Sequence, residues 1–123
     1  MKHYMGIDIG GTKCAVVIIE KNGTSVKDKI RFETRVERGW RAVVDELISS
    51  AREIMERNSL TSDDIIACGV SCGGPLDSRT GVVMSPPNLP GWDNIPIVKI
   101  LSDEFGVPAA IHNDANACAL AEW

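Results

Sequence analysis

The residues with the clearest chemical use lie near the end of the chain, in Ile111-His112-Asn113-Asp114-Ala115-Asn116-Ala117. Ala109 to Ile111 reads as the last part of a buried strand, and a helix-start signal follows at once. Strand-to-helix corners in open α/β proteins project side chains past the strand's C-terminal end into a crevice. A carboxylate there, Asp114, could orient and deprotonate a hydroxyl group. Asn113 and Asp114 are also favoured helix N-caps, and for this segment alone a cap is the simpler reading.

A second segment changes that balance. Asp8-Ile9-Gly10-Gly11-Thr12-Lys13 joins two strand-like runs. Paired glycines permit close backbone approach to a ligand and positive φ. Successive N–H groups in such a turn can form a concave anion site. Thr12 adds a hydroxyl and Lys13 a positive charge. Asp8 would repel a phosphate placed there unless Mg²⁺ stood between them, usually through waters. The order Thr-Lys excludes a Walker A loop, which needs Lys followed by Ser or Thr. A dinucleotide fingerprint is excluded because the segment leads into a strand. A plain Gly-Gly hairpin turn remains the alternative.

A third group is Gly69-Val70-Ser71-Cys72-Gly73-Gly74-Pro75-Leu76-Asp77, followed by Ser85-Pro86-Pro87-Asn88-Leu89-Pro90-Gly91-Trp92. Gly73-Gly74 would offer bare backbone to a polar ligand at a strand end. Asn88 sits in a proline-framed loop, where its amide can donate and accept hydrogen bonds. Trp92 could stack on a sugar face, although packing within its loop is the simpler role.

These groups need a scaffold, and hydrophobic periodicity supplies one. Met5–Ile9 and Cys14–Ile19 read as strands, and Lys29–Thr34 as a third after the hairpin signal Asn22-Gly23. Trp40, Val43, Val44, Leu47, Ile48, Ala51, Ile54 and Met55 form one apolar helical stripe. Ile65–Ser71 is a fourth strand. The Gly/Pro-rich stretch from Gly73 to Pro96 is loop, with a short hairpin around Gly81–Met84. Pro96 suits the first turn of a helix reaching Phe105, with Gly106 just beyond its end. The corner strand and a final helix, Ala115–Trp123, complete the order βββαβαβα. Three hairpin-linked strands make an antiparallel meander, and each later strand follows a helical crossover and pairs in parallel. The fold class expected is α/β, a mixed five-stranded sheet of the ribonuclease-H-like kind found in the lobes of actin-like ATPases.

Composition narrows the function classes. The 123 residues carry a net charge of −4 and are 44% hydrophobic and 24% charged, ordinary for one globular domain. No basic block points to nucleic acid, and no apolar run reaches membrane-spanning length. The N-terminus lacks a secretory h-region, so the expected location is cytoplasmic. Cys14, Cys68, Cys72 and Cys118 lack metal-hairpin spacing and read as small buried hydrophobes in a reducing compartment. No metal is expected on them.

DIGGTK at 8–13, GVSCGGPLD at 69–77, PPNLPGW at 86–92 and HNDANACALAEW at 112–123 together resemble the ROK family (repressors, open reading frames, sugar kinases). The motifs stand in the family's order and span nearly the whole chain. The resemblance implies an actin-like, two-lobed kinase that binds sugar and ATP in the cleft between lobes. It implies that Asp114 is the catalytic base, that Asn113 holds sugar hydroxyls, and that Gly74 and Asn88 frame the sugar. Asp8, Gly10, Gly11, Thr12 and Lys13 would then contact the nucleotide phosphates, with Mg²⁺. The implied reaction transfers the ATP γ-phosphoryl group to a hexose or N-acetylhexosamine hydroxyl, most often the 6-hydroxyl. Residues 1–123 then correspond to the N-terminal lobe, the C-terminal lobe being absent, and such a lobe is expected to be inactive by itself. The four cysteines are not the family's zinc ligands. Family members often form homo-oligomers through the missing lobe.

Two other functions compete. The lobe could be the sugar sensor of a ROK transcriptional repressor. DIGGTK begins at residue 8, which leaves no room before it for the repressors' winged helix-turn-helix. Another actin-like ATPase would share DIGGTK, but PPNLPGW and the NDANA segment argue against it.

Overall fold

The alternation of β-branched and polar residues in the first third of the chain builds a three-stranded antiparallel meander. A computed structural model describes residues 2–20, 25–72, 76–77, 82–83, 89 and 91–112. In it β1 spans His3–Ile9, β2 Lys13–Glu20 and β3 Val26–Glu33. β3 begins three residues earlier than the sequence suggests. A register shift between Ile18 and Ile19 lets Val26 pair with Ile19, so the ladder continues beyond the charged run. β4 (Ile65–Cys72) and β7 (Ala109–His112) add in parallel, giving the five-stranded order β3-β2-β1-β4-β7. The mixed sheet expected from the sequence is therefore the one observed.

Two helices cover one face. The apolar stripe becomes α1, Trp40–Arg57, with Val43, Val44, Leu47, Ala51, Ile54 and Met55 buried. Trp40 and Ile48, at the stripe's margins, are partly buried against the same core. α2, Ile97–Phe105, buries Ile97, Leu101 and Phe105. Gly106 ends it in the left-handed region (φ 67) and donates its N–H to the Ser102 carbonyl at 2.8 Å. Pro96 stands at the N-cap, one position before the first turn. Both helices lie on the face formed by Met5, Ile7, Ile9, Val16 and Ile18. Asp28, in register with Ile18, binds Arg57 of α1, and Arg52 of α1 reaches Glu104 of α2 at 2.5 Å. Each fully buried Ile or Leu on this face contributes about 1.5–3 kcal/mol of hydrophobic stabilisation.

A two-stranded hairpin of β5 (Leu76–Asp77) and β6 (Val82–Val83) lies outside the main sheet. The sequence expects a short hairpin around Gly81–Met84, and Val82-Val83 forms one arm of it, pairing back to Leu76-Asp77; Val83 also bridges Ile95. The Asn22-Gly23 turn and the final helix, Ala115–Trp123, fall outside the described residues.

Candidate functional site

β1 carries two residue sets. Met5, Ile7 and Ile9 face the helices and are 2% exposed, whereas Asp8 is exposed on the opposite face. Asp8 lies in register with Ala15 of β2 and Ser71 of β4, Ala15 with Arg31 of β3, and Ser71 with His112 of β7. One register row thus crosses all five strands at the C-terminal ends of the parallel ones. At the usual inter-strand spacing, the β7 position in that row is about 10 Å from Asp8. The parallel crossovers therefore bring Asp8 and the end of the corner strand to one edge of the sheet. Asn113, Asp114, Gly74 and Asn88, expected at the catalytic and sugar positions, fall outside the described residues.

The β1–β2 turn is tied down from within and from without. The Gly10 N–H donates to the Lys13 carbonyl at 3.1 Å. A Cβ on Gly10 would stand 2.7 Å from that oxygen, so only glycine fits. The sequence offers two reasons for glycine here, and the structure selects space. Among the described residues the glycines with positive φ are Gly39, Gly91 and Gly106. From outside, Thr34 holds the turn at two points. Its N–H donates to the Thr12 carbonyl at 2.9 Å and its hydroxyl donates to the Gly10 carbonyl at 2.7 Å. Thr34 is fully buried. Sequence reasoning missed it: Thr34 reads there as the end of the third strand, and no local pattern marks its contact with Gly10.

Cys14 lies beneath the turn, with Sγ 3.2 Å from Thr34 Oγ1. The Thr34 hydroxyl gives its one proton to Gly10, so the thiol donates to the hydroxyl oxygen. Burial pushes the Cys14 thiol up, and the Thr34 contact works against this only in part. Burial also pushes Cys72 up to about 12, with Cys14 and Asp8 adding to the effect. Both sulfurs therefore stay protonated at neutral pH and are poor nucleophiles or metal ligands. Cys14, Cys68 and Cys72 are buried thiols outside any disulfide, as the sequence expects. No group of three or more metal-ligating side chains occurs among the described residues.

On the face opposite the helices, a shallow depression of about 220 Å³ is lined by Asp8, Lys13, Cys14, Ala15, Lys29 and Arg31. Ala15 forms its floor because it stands in register between Asp8 and Arg31. Lys13, Lys29 and Arg31 are exposed and form no ion pair among the described residues, and Glu33, in register with Lys13, forms none either. Unpaired cations around a small-residue floor suit a multiply charged anion. Asp8, the carboxylate among the lining residues, fits Mg²⁺, which is commonly held by one or two carboxylates together with substrate phosphates and water. Trp92, by contrast, cannot stack on a ligand from its present position. It is fully buried beside Leu89, with its backbone N–H on the Leu89 carbonyl at 3.2 Å. The packing role is the one observed.

The profile of the ROK family matches residues 4–123. This chain belongs to the ROK family. A glucokinase of Thermotoga maritima is 30% identical over 96% of the chain and 35% of its own length. A putative xylose repressor of Caldicellulosiruptor is 25% identical over 96% of the chain and 29% of its own length. Among solved structures, a ROK hexokinase of Thermus thermophilus superposes with a TM-score of 0.79 at 36% identity, covering 98% of this chain and 38% of that one. A ROK family glucokinase of Streptomyces griseus, solved with glucose and AMPPNP, superposes with a TM-score of 0.77 at 26% identity, over 94% of this chain and 34% of that one. The sheet is thus that of the actin-like ATPase fold, and this ROK chain spans about a third of the length of the relatives it matches. No helix among the described residues is long and apolar enough to cross a membrane.

Proposed function

We propose that this chain is the N-terminal lobe of an ATP-dependent sugar kinase that phosphorylates a hexose or N-acetylhexosamine hydroxyl, most often the 6-hydroxyl. The observation that carries this reading is the braced β1–β2 turn of a ROK chain, with Asp8 exposed beside it and three unpaired cations around the adjoining depression. Phosphoryl transfer depends mainly on positioning and charge stabilisation, which such a turn can supply. The backbone of Gly10 and Gly11, the Thr12 hydroxyl and Lys13 hold the nucleotide phosphates. Mg²⁺, when bound at Asp8, neutralises phosphate charge. Asp114 accepts the proton of the sugar hydroxyl and aims its oxygen. The helix start that the sequence expects at that corner would favour the ionised carboxylate by about 0.3–1 kcal/mol. Asn113, Asn88 and the Gly74 backbone hold the other sugar hydroxyls.

The second lobe would supply the remaining nucleotide and sugar contacts, so the 123-residue chain should not turn over by itself. The expected partners are sugar and ATP in the cytoplasm, without nucleic acid or membrane, and homo-oligomers would form through the second lobe. The test is a coupled ADP-release assay of the protein carrying both lobes, against a panel of hexoses and N-acetylhexosamines. One or a few sugars should support turnover. Sugar-dependent DNA binding with no ADP release would favour the repressor reading, which the xylose-repressor relative keeps in view.

A further inference from the structure

We infer that Thr34 is the positioning residue of the phosphate turn, and that it couples the turn's shape to helix α1 through Arg38 and Glu46. This rests on the nucleotide-binding reading of the turn and adds a residue outside the DIGGTK segment.

The geometry is specific. Thr34 is the first residue after β3 and reaches 24 positions back along the chain to the Gly10 carbonyl, at 2.7 Å. Its N–H takes the Thr12 carbonyl at 2.9 Å. These two bonds fix the orientation of the Gly10–Gly11 and Thr12–Lys13 peptide units. The direction of a peptide's N–H follows from the direction of its carbonyl, because the unit is planar. Turning the Gly10 and Thr12 carbonyls inward, toward Thr34, therefore leaves the Gly11 and Lys13 N–H groups turned away from it. The Cys14 thiol donates to the same hydroxyl, so the oxygen is satisfied on both sides and has one orientation. The Thr34 carbonyl is fixed in turn. It accepts Arg38 Nε at 2.9 Å, and Arg38 Nη2 stands 2.6 Å from Glu46 Oε1 of α1. That last contact is an ion pair without hydrogen-bond alignment, and Glu46 Oε1 has no other partner among the described residues. The pair is half-buried, with Glu46 Oε1 out of contact with solvent. The buried threonine bonds carry the ordering, since an unmet buried carbonyl costs far more than a bond gained at the surface.

The experiment uses the two-lobed protein and compares Thr34→Val, which keeps the shape without the hydroxyl, with Thr34→Ser, which restores it. Thr34→Val should raise the KM for ATP about tenfold, leave the KM for sugar within about twofold, and speed amide exchange at Gly10. Thr34→Ser should restore both readouts. Arg38→Gln, which removes the half-buried contacts to the Thr34 carbonyl and to Glu46, should move the same readouts in the same direction by about twofold. Unchanged exchange at Gly10 in Thr34→Val would overturn the brace whatever the turn binds. Equal rises in the KM for ATP and for sugar, with faster exchange throughout β1 and β2, would reduce Thr34 to a stability role and overturn the inference. Faster exchange confined to the turn, with the KM for ATP unchanged, would overturn nucleotide positioning by Thr34 and the phosphate reading of the turn together.

Discussion

The two faces of the sheet treat charge in opposite ways. On the helical side, cations are consumed in pairs: Arg57 with Asp28 at 2.7 Å, Arg52 with Glu104 at 2.5 Å, Lys99 with Asp103 at 2.7 Å and Arg41 with Asp45 at 3.3 Å. On the opposite face Lys13, Lys29 and Arg31 stand around one depression without an ion pair among the described residues. Exposed pairs add about 0–1 kcal/mol each, so pairing is not what holds the helical side together. Its core does that. Pairing occupies those cations there, and the unpaired ones are left beside Asp8 and the glycine turn. A face of paired charge and a face of unpaired charge, the proposed reactive one, share one sheet, and the alternation of side chains along β1 separates them.

That separation can be broken at its reactive end first. Asp114→Asn in the two-lobed protein should lower kcat by about a hundredfold or more, the usual scale for removing a general base, while sugar affinity is kept. Wild-type turnover in that variant would remove Asp114 from the reaction. A matched pair then contrasts the layers directly. Leu47→Ala in α1 should cost about 2–5 kcal/mol in a denaturant titration and leave the KM for ATP unchanged. Gly10→Ala, whose Cβ would meet the Lys13 carbonyl at 2.7 Å, should instead raise the KM for ATP about tenfold with a stability loss of about 1–3 kcal/mol. If both variants shifted the same parameter, the two layers would not be separable.

Two smaller effects sharpen the contrast in charge. Lys13→Gln should raise the KM for ATP several-fold at low salt, and the difference from wild type should narrow as potassium chloride approaches about 0.5 M. A salt-independent difference would point to shape and not charge. On the helical side, the hydrogen bonds from Arg57 and then Asn58 hold the Asp28 carboxyl well below the usual carboxylate range. A depressed folded pKa gives stability that is complete above the unfolded value, about 3.9, and declines as pH falls through it. Asp28→Asn should therefore lower Tm modestly at pH 7, by an amount that shrinks steadily below about pH 4, with no change in the KM for ATP. A constant Tm difference from pH 7 to pH 3 would show that the carboxylate's charge is not the cause.

Much of this arrangement is legible in the residues because it is local. The stripe from Trp40 to Met55 can be satisfied only by a helix lying on an apolar face. Pro96 and Gly106 bracket α2 through their own backbone preferences. The β-branched run from Cys14 to Ile19 has no competing reading. Where register decides, the sequence falls short. β3 starts early because a bulge between Ile18 and Ile19 extends the ladder. Thr34 meets Gly10 only through the pairing that this ladder sets, and no local pattern marks a contact between positions 24 apart. Trp92 illustrates a different limit. An aromatic ring in a loop suits a ligand and a core equally well by type, and burial beside Leu89 is a tertiary outcome. For Gly10 the residue type signals a requirement without revealing that it is room for a carbonyl.

The position of β1 in the sheet has a kinetic consequence. Its pairing with β2 is a short hairpin, whereas its pairing with β4 joins His3 to Ile65, and β4 must still recruit Ala109. Pairing of distant segments is slow because the loop between them must first be closed. Among the described residues, the hydrogen bonds within the β1–β2 turn and from Thr34 to it are made by residues up to Thr34, and α1, which covers that meander, begins at Trp40 and ends at Arg57. As the chain leaves the ribosome, the turn and its brace have all their partners, and a helix to shelter them, before the strand leading to Asn113 and Asp114 has been made. The proposed phosphate turn can thus be set early, and the proposed catalytic corner forms only after the later strands have been made.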